Sequence, residues 1–561
     1  MRKTSEGDLS PAARNQREVP RLFSSLSRTL KILPVAILLL LSLGALAFCF
    51  LLGISNVHYD GVAHLNIARR VFDHSQPQWN LLGTVWLPLQ HLLLLPLVQS
   101  DWLWKTGMAG SLVSLLSFWL ACWFLYQLAL DLYQAKEWAW VTLAVFALNP
   151  NLLYLLTTPL GEMLYVAWML GFFLYLGRFL ERGRTPDLRR TAWMAALASL
   201  VRYDGWLLVL FGGGLLIWAA VRLRPGWRRF FHWLVLYGSI AGSGIFSWLL
   251  YNWLACHDPL AFLKGEYATQ TRIGRILVEA GLNQFPPYHH YLMSFRYFQE
   301  ASSLSAGSRL FFLGVAGFLL YAVLRFREKR WPVLLLLFLL PPLYYSHNLF
   351  RGTGIIFVPT LPPYGILNVR YTALFLPALC LFLPALGFIL LGLLPALKKG
   401  AKGLSSGGRD WARICSLGMV LILTAWISNQ YWKWLYMGRF GIAFWQEAYV
   451  NGLERKTAEF QTAEFLQKNF DGKPILMDVS EHGMIPQQTG LPLKSFINET
   501  EYPRWEQAIR SPETMVDWII VQEDDSIWQA LQSTKGLQEQ FQPVFIGRGP
   551  FEVPIHVYRR K

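Results

Sequence analysis

About eleven stretches of this chain are long and apolar enough to cross a membrane, and that repetition limits the fold more than any motif does. Each crossing needs roughly 20 predominantly apolar residues. The first runs over residues 32–54. The others fall near 106–132, 138–156, 163–180, 191–203, 205–221, 230–253, 308–324, 331–347, 366–397 and 412–432. Residues 87–98 are too few to cross unaided and read as an interfacial or re-entrant piece. Composition agrees: of 561 residues, 54% are hydrophobic and 15% charged, where a soluble domain carries about 25% charged residues. A soluble enzyme, a disordered chain and a disulfide scaffold are excluded. Five cysteines are present (Cys49, Cys122, Cys256, Cys380 and Cys415), none in a CxxC and most inside apolar runs. The run 32–54 is longer than a signal-peptide core, and Phe48 stands before Cys49 where a lipobox needs a small residue. It is expected to be a retained anchor.

The net charge of +16 is topogenic rather than a sign of nucleic-acid binding. With the N-terminus in the cytoplasm, the inner segments are 1–31, 133–137, 178–190, 222–229, 325–330 and 398–413. They hold 26 of the 51 Lys and Arg, as the positive-inside rule requires. Arg222, Arg224, Arg228 and Arg229 make one inner cluster; Arg325, Arg327, Lys329 and Arg330 make another. An odd number of crossings places the C-terminus outside. The expected fold is an all-α polytopic membrane bundle. It comprises a basic cytoplasmic tail (1–31), a transmembrane region (32–433) with outer segments at 55–105, 254–307 and 348–365, and a small extracytoplasmic α/β domain (434–561). Strand-like runs at 474–479, 518–521 and 556–559 support the last assignment. No internal repeat is seen.

Ionisable residues beside the outer ends of the spans are the candidates for chemistry, because such groups near a bilayer need a partner or water. In the first outer segment, Val62, Ala63, Ile67 and Val71 recur at helical spacing, predicting an amphipathic helix on the membrane surface. Asp60 stands at its head, where it can cap the helix or accept a proton. Pro159-Leu160-Gly161-Glu162 follows Asn149-Pro150-Asn151, which breaks the helical pattern. Glu162 is either an interfacial carboxylate or a site residue. Arg202-Tyr203-Asp204 occupies another outer turn, as a local ion pair or a ligand site. Arg370, in Asn368-Val369-Arg370-Tyr371, can snorkel or hold a phosphate in its planar fork. His64, His289 and His290 are potential ligands, each more often a surface histidine. With no HExxH or DxD, no cofactor is expected and a divalent metal lacks support.

Asp60, Glu162, Arg202 and Arg370 all fall on the outer face of a topology assigned from other residues. Such a set suits transfer of a sugar from a polyprenyl-phosphate donor, whose tail lies in the bilayer and whose phosphate lies at its surface. Guanidinium groups stabilise the departing phosphate, and one carboxylate takes the proton of the attacking hydroxyl. A glycosidase needs two carboxylates flanking one bond. A transporter places ionisable groups near the midplane and often shows repeated halves, and a non-catalytic assembly subunit would use the outer domain for docking. These two are the alternatives.

The chain resembles the GT-C superfamily of membrane glycosyltransferases, and is most similar to the branch containing protein O-mannosyltransferases and lipid A aminoarabinose transferases. The likeness covers roughly residues 32–397. It is carried by Tyr59-Asp60-Gly61 with Ala68-Arg69-Arg70, by Trp86-Leu87-Pro88-Leu89, by Asn149-Pro150 with Thr157-Thr158-Pro159-Leu160-Gly161-Glu162, and by Arg370-Tyr371 with Pro377. It implies an inverting transfer of a hexose or pentose from a lipid-phosphate sugar to a lipid, glycan or protein hydroxyl on the extracytoplasmic face of a bacterial inner membrane. It also implies Asp60 as base, Glu162 as the second acidic residue, and Arg202 and Arg370 as phosphate contacts. Many members pair the first-loop Asp with an adjacent acid; here Tyr59 and Gly61 flank it.

Overall fold

The computed structural model describes residues 33–561 except 265–267, 269, 270, 272, 275, 276, 279–284, 388–405, 524, 533–536 and 551. The expected cytoplasmic tail, the end of the span 366–397 and much of the inner segment 398–413 lie outside the described residues.

Among the described residues nine helical stretches are long and apolar enough to span a membrane, and the chain is an integral membrane protein with the expected helical bundle. The anchor is α1 (Leu33–Leu51). It is followed by α2 (Tyr59–Arg70), the short α3 (Leu89–Leu94) and α4 (Asp101–Lys105), and the long α5 (Met108–Tyr133). Next come α6 (Lys136–Ala147), α7 (Pro150–Leu155), α8 (Glu162–Arg182), α9 (Thr185–Ser199), α10 (Asp204–Leu223) and α11 (Trp227–Cys256). After the partly described outer segment follow α12 (Tyr291–Ala306), α13 (Ser308–Arg325), α14 (Trp331–Arg351), α15 (Leu376–Phe382), α16 (Ser406–Met437) and α17 (Ala443–Ala448).

Two expected spans account for the difference from eleven. The stretch 138–156 is divided into α6 and α7. Pro150 lacks the N–H that a continuing helix needs, and the side chain of Asn149 accepts from the amides of Asn151 and Leu152 to start a new helix. The stretch around 191–203 forms α9, whose 15 residues extend about 22 Å, short of the roughly 30 Å hydrocarbon core. The outer segment 254–307 also holds more structure than a loop. Helix α12 buries Tyr297, Phe298 and Ala301 in the main core.

The inner segments meet at one end of the bundle. Arg330 pairs with Glu181, Arg178 with Asp131 at 2.5 Å, Arg229 Nη2 donates to the Gly183 carbonyl at 2.8 Å, and Arg222 donates to the Arg327 carbonyl at 3.5 Å. The other end of α8 carries Glu162. Its 21 residues separate the two ends by about 31 Å.

Beyond α17 a five-stranded sheet forms, in the order β2-β1-β3-β5-β4. Its strands are β1 (Ile475–Leu476), β2 (Phe496–Ile497), β3 (Trp518–Gln522), β4 (Phe541–Gly547) and β5 (Ile555–Arg560). The first three are parallel; β5 runs antiparallel to β3 and β4. Alternate residues supply two cores, one on each face: Ile475, Trp518 and Ile520 against one layer, Leu476, Ile519 and Val521 against the other. This is the period of two that a strand imposes. The strand-like runs at 474–479, 518–521 and 556–559 coincide with β1, β3 and β5. Residues 442–448, expected in the soluble domain that begins at 434, instead pack into the helical core through Ile442, Ala443, Phe444 and Ala448.

The sheet-bearing part rests on α2. Asn66 links the two, donating to the Gly483 carbonyl at 2.8 Å and accepting from Trp104 Nε1 at 3.1 Å. Seven residues further on, just past the end of α2, Asp73 accepts the backbone amides of Leu493 and Lys494 at 3.0 and 3.4 Å.

Candidate active site

The site begins with a tightly held loop. Residues 157–161 lie against α2 and α5, both of which present glycine there: a Cβ on Gly61 would lie 2.7 Å from Pro159 Cγ, and one on Gly110 would overlap Pro159 outright. The loop's carbonyls are satisfied by side chains of neighbouring helices. Ser111 donates to Thr157 O at 2.5 Å, Ser114 to Thr158 O at 2.6 Å and Gln90 to Pro159 O at 2.7 Å. Buried backbone oxygens need such partners, and these fix the start of α8. Glu162, in its first turn, is set facing the space under α2.

Arg370 arrives from the other side. Asn368, in the left-handed region at φ 57, turns the chain into a 3-10 helix over Val369–Leu374, anchored where Thr372 Oγ1 donates to Ser305 Oγ at 2.7 Å. The guanidinium is buried, and each of its nitrogens has a partner. Nε donates to Glu162 at 3.0 Å, Nη1 to Glu447 and Nη2 to Asp60. Glu447 also accepts the backbone amides of Asn368 at 2.9 Å and Arg370 at 3.1 Å. Arg202 lies alongside. Its Nη1 reaches the same Glu162 oxygen at 3.5 Å, its Nε lies 3.3 Å from Asp204, and its Nη2 donates to the Tyr345 hydroxyl at 2.9 Å. Tyr345 passes its proton side to Asp204 at 2.9 Å. The Tyr371 ring faces both cations, 4.8 Å from Arg202 and 5.1 Å from Arg370, a favourable arrangement for guanidinium groups.

The four residues singled out from sequence are thus brought into one cluster. Asp60 is not the cap of α2. That position is held by His58, whose Nδ1 accepts the Asp60 amide at 3.2 Å. Its Nε2 lies 3.4 Å from Glu447 and 2.8 Å from Arg370 Nη1. The Arg202–Asp204 pair expected as a local alternative is present, as part of the cluster. His64 meets His91 of α3, Nδ1 to Nε2 at 2.8 Å, with its ring 4.4 Å from that of Trp86. His289 and His290 stand elsewhere: His289 packs on Tyr288 and its amide donates to Phe350 O at 3.0 Å, while His290 precedes α12. Among the described residues no group of three or more His, Cys, Asp and Glu side chains is arranged to hold a metal ion.

Sequence reasoning missed His58, Tyr345 and Glu447. The last had a signal: in Ala443-Phe444-Trp445-Gln446-Glu447-Ala448 an acid sits in an aromatic, apolar run just past a span, where a lone carboxylate is costly.

The chain is thus a polytopic helical bundle with α2 over a buried Arg–carboxylate cluster and a sheet-bearing C-terminal part. The chain is similar along nearly its whole length to the crystal structure of ArnT from Cupriavidus metallidurans bound to undecaprenyl phosphate: TM-score 0.53, 13% identity, covering 94% of this chain and 97% of that one. The apo structure of the same protein gives a TM-score of 0.52 at 12% identity, covering 95% and 98%. The archaeal oligosaccharyltransferase AglB from Archaeoglobus fulgidus, in complex with an inhibitory peptide and a dolichol-phosphate, gives 0.45 at 12% identity, covering 92% and 74%. No protein-family model matches the chain, and no curated protein matches it by sequence.

Proposed function

We propose that this chain is an integral-membrane glycosyltransferase that moves a hexose or pentose from a polyprenyl-phosphate donor to the hydroxyl of a lipid, glycan or protein acceptor, with inversion. The observation that carries this is the convergence of Asp60, Glu162, Arg202 and Arg370 in one cluster beneath α2. The acceptor oxygen attacks the anomeric carbon and gives its proton to Asp60. The bond from that carbon to the phosphate oxygen breaks, and the lipid phosphate departs beside Arg370 and Arg202. Preorganised cations of this kind stabilise charge that develops in the transition state. Glu162 touches both arginines and sets their spacing. The likeness to ArnT in its undecaprenyl-phosphate complex supports the choice of donor. The arginine-rich end of the bundle supports an orientation with residues 1–31 in the cytoplasm and the cluster and C-terminal sheet outside, in a bacterial inner membrane, serving the cell envelope.

The test is transfer by membranes carrying the full chain, supplied with undecaprenyl-phosphate hexoses and pentoses. Asp60→Asn is expected to lower transfer by about 100-fold or more, within the range of general-base effects. Wild-type transfer by this variant would remove Asp60 from the role of base.

A further inference from the structure

The cluster has more acid than base. Two guanidinium groups serve four carboxylates, those of Asp60, Glu162, Asp204 and Glu447. All three nitrogens of Arg370 are engaged, Nε by Glu162, Nη1 by Glu447 and Nη2 by Asp60, and all three of Arg202 by Asp204, Glu162 and Tyr345. A lipid phosphate brings further negative charge. A phosphate that approaches Nη2 of Arg370 therefore competes with the carboxylate held there.

The carboxylates are unequal in this respect. The side chain of Glu447 has no exposed surface and also accepts two backbone amides. Glu162 and Asp204 are 4% and 5% exposed. Removing any of these from its arginine would strand a charge away from water, at a cost of several kcal/mol. The Asp60 side chain is 34% exposed. It stands on the first turn of α2, where water has access to it.

We infer that the donor's phosphate binds by displacing Asp60 from Nη2 of Arg370, so that seating the donor is what presents the Asp60 carboxylate to the acceptor's hydroxyl. The inference rests on the reading of this cluster as a lipid-phosphate glycosyl-transfer site. Before the donor arrives, Oδ2 of Asp60 is occupied by the guanidinium and is poorly placed to receive a proton. Once phosphate holds Nη2, that oxygen takes the proton from the attacking hydroxyl. After the sugar has moved, the lipid phosphate leaves, Asp60 gives its proton to water and returns to Arg370. The donor therefore binds productively before the acceptor.

A consequence separates this inference from a simple base role: Asp60 opposes phosphate binding, and its removal should strengthen it. The experiment is titration of the full-length protein in lipid nanodiscs with undecaprenyl phosphate, read by native mass spectrometry, for the wild type, Asp60→Asn and Asp60→Ala. Both variants are expected to bind at least about tenfold more tightly than the wild type. Asp60→Ala adds no new donor, so tighter binding by it reports relief of competition rather than an amide contact. Binding by Asp60→Ala equal to or weaker than that of a binding-competent wild type would overturn the inference while leaving the proposed function in place, whatever Asp60→Asn does. Absence of binding by all three proteins would overturn the proposed function, and the inference with it.

Discussion

Arg370 has five N–H donors in a rigid fork, and this chain uses that geometry to hold together carboxylates from three distant segments: Asp60, Glu162 and Glu447. Arg370→Met leaves Glu162 and Glu447 buried with the central cation removed, and should destabilise the protein by about 3–5 kcal/mol, read as a lower melting temperature in detergent. Arg370→Lys keeps the charge but replaces the fork with a point. It should retain more of the stability yet lower transfer by about 100-fold or more, about 3 kcal/mol of transition-state stabilisation. Equal melting and transfer for wild type and Arg370→Lys would contradict a role for the fork. Asp60, Glu162, Arg202 and Arg370 were legible because each is a charge placed where an apolar span meets the surface. Their mutual distances were not legible, since Asp60 and Arg370 are separated by 310 positions. For the same reason His58 and Glu447 had no visible partner until the chain was folded.

Helix α2 and the elements around it carry the next level of constraint. The half-buried His64 is pushed down to about 4 by burial, against the opposing charges of Asp60 and Glu162. Burial, with His64 beside it, pushes His91 well below its ordinary value. Both rings therefore resist protonation in the folded chain while the unfolded chain takes up protons below about pH 6.5. Stability is full above that value and falls as pH drops toward 4, because the unfolded state then binds more protons. The double variant His64→Gln/His91→Gln should show a shallower fall in melting temperature over this interval. An unchanged slope would exclude these imidazoles as its source. A second element-scale contact joins the segment after α17 to the start of α2. A Cβ on Gly452 would overlap the Val57 carbonyl oxygen, which is backbone and cannot yield. Gly452→Ala should cost about 1–3 kcal/mol and, by moving His58, reduce transfer. Melting at the wild-type temperature would show that the two segments separate easily. Most helices were readable from apolar length alone. The division of 138–156 was readable only in part: Asn149-Pro150 marks the break, but the Ser305 carbonyl that accepts the Asn149 amide at 2.9 Å comes from a helix far along the chain.

At the level of the whole molecule, two ends differ in chemistry. One end is dominated by arginine, with Arg222 donating to the Arg327 carbonyl; the other holds the acid-rich cluster. Single cysteines placed at positions 75 and 223 should react oppositely with an impermeant maleimide applied to intact cells, the first labelled and the second protected. Labelling of both, or of 223 alone, would reject the proposed orientation. The class of fold was legible because about eleven apolar stretches admit few other solutions, and β1 and β3 because their apolar runs are continuous. Strand β2 has two residues, too few for any pattern, and β4 carries Pro543 with a register shift beside it, which hides its alternation. The joint between α2 and the C-terminal part combines packing of Leu493 on Leu65 and Ala68 with single side chains meeting main-chain atoms, Asn66 with Gly483 and Asp73 with Leu493 and Lys494. Grafting a foreign module onto this bundle would thus succeed only if the transplanted loops reproduced those backbone positions, whatever their own side chains; a chimera lacking them would leave the Asn66 amide and the Asp73 carboxylate without their partners across the joint.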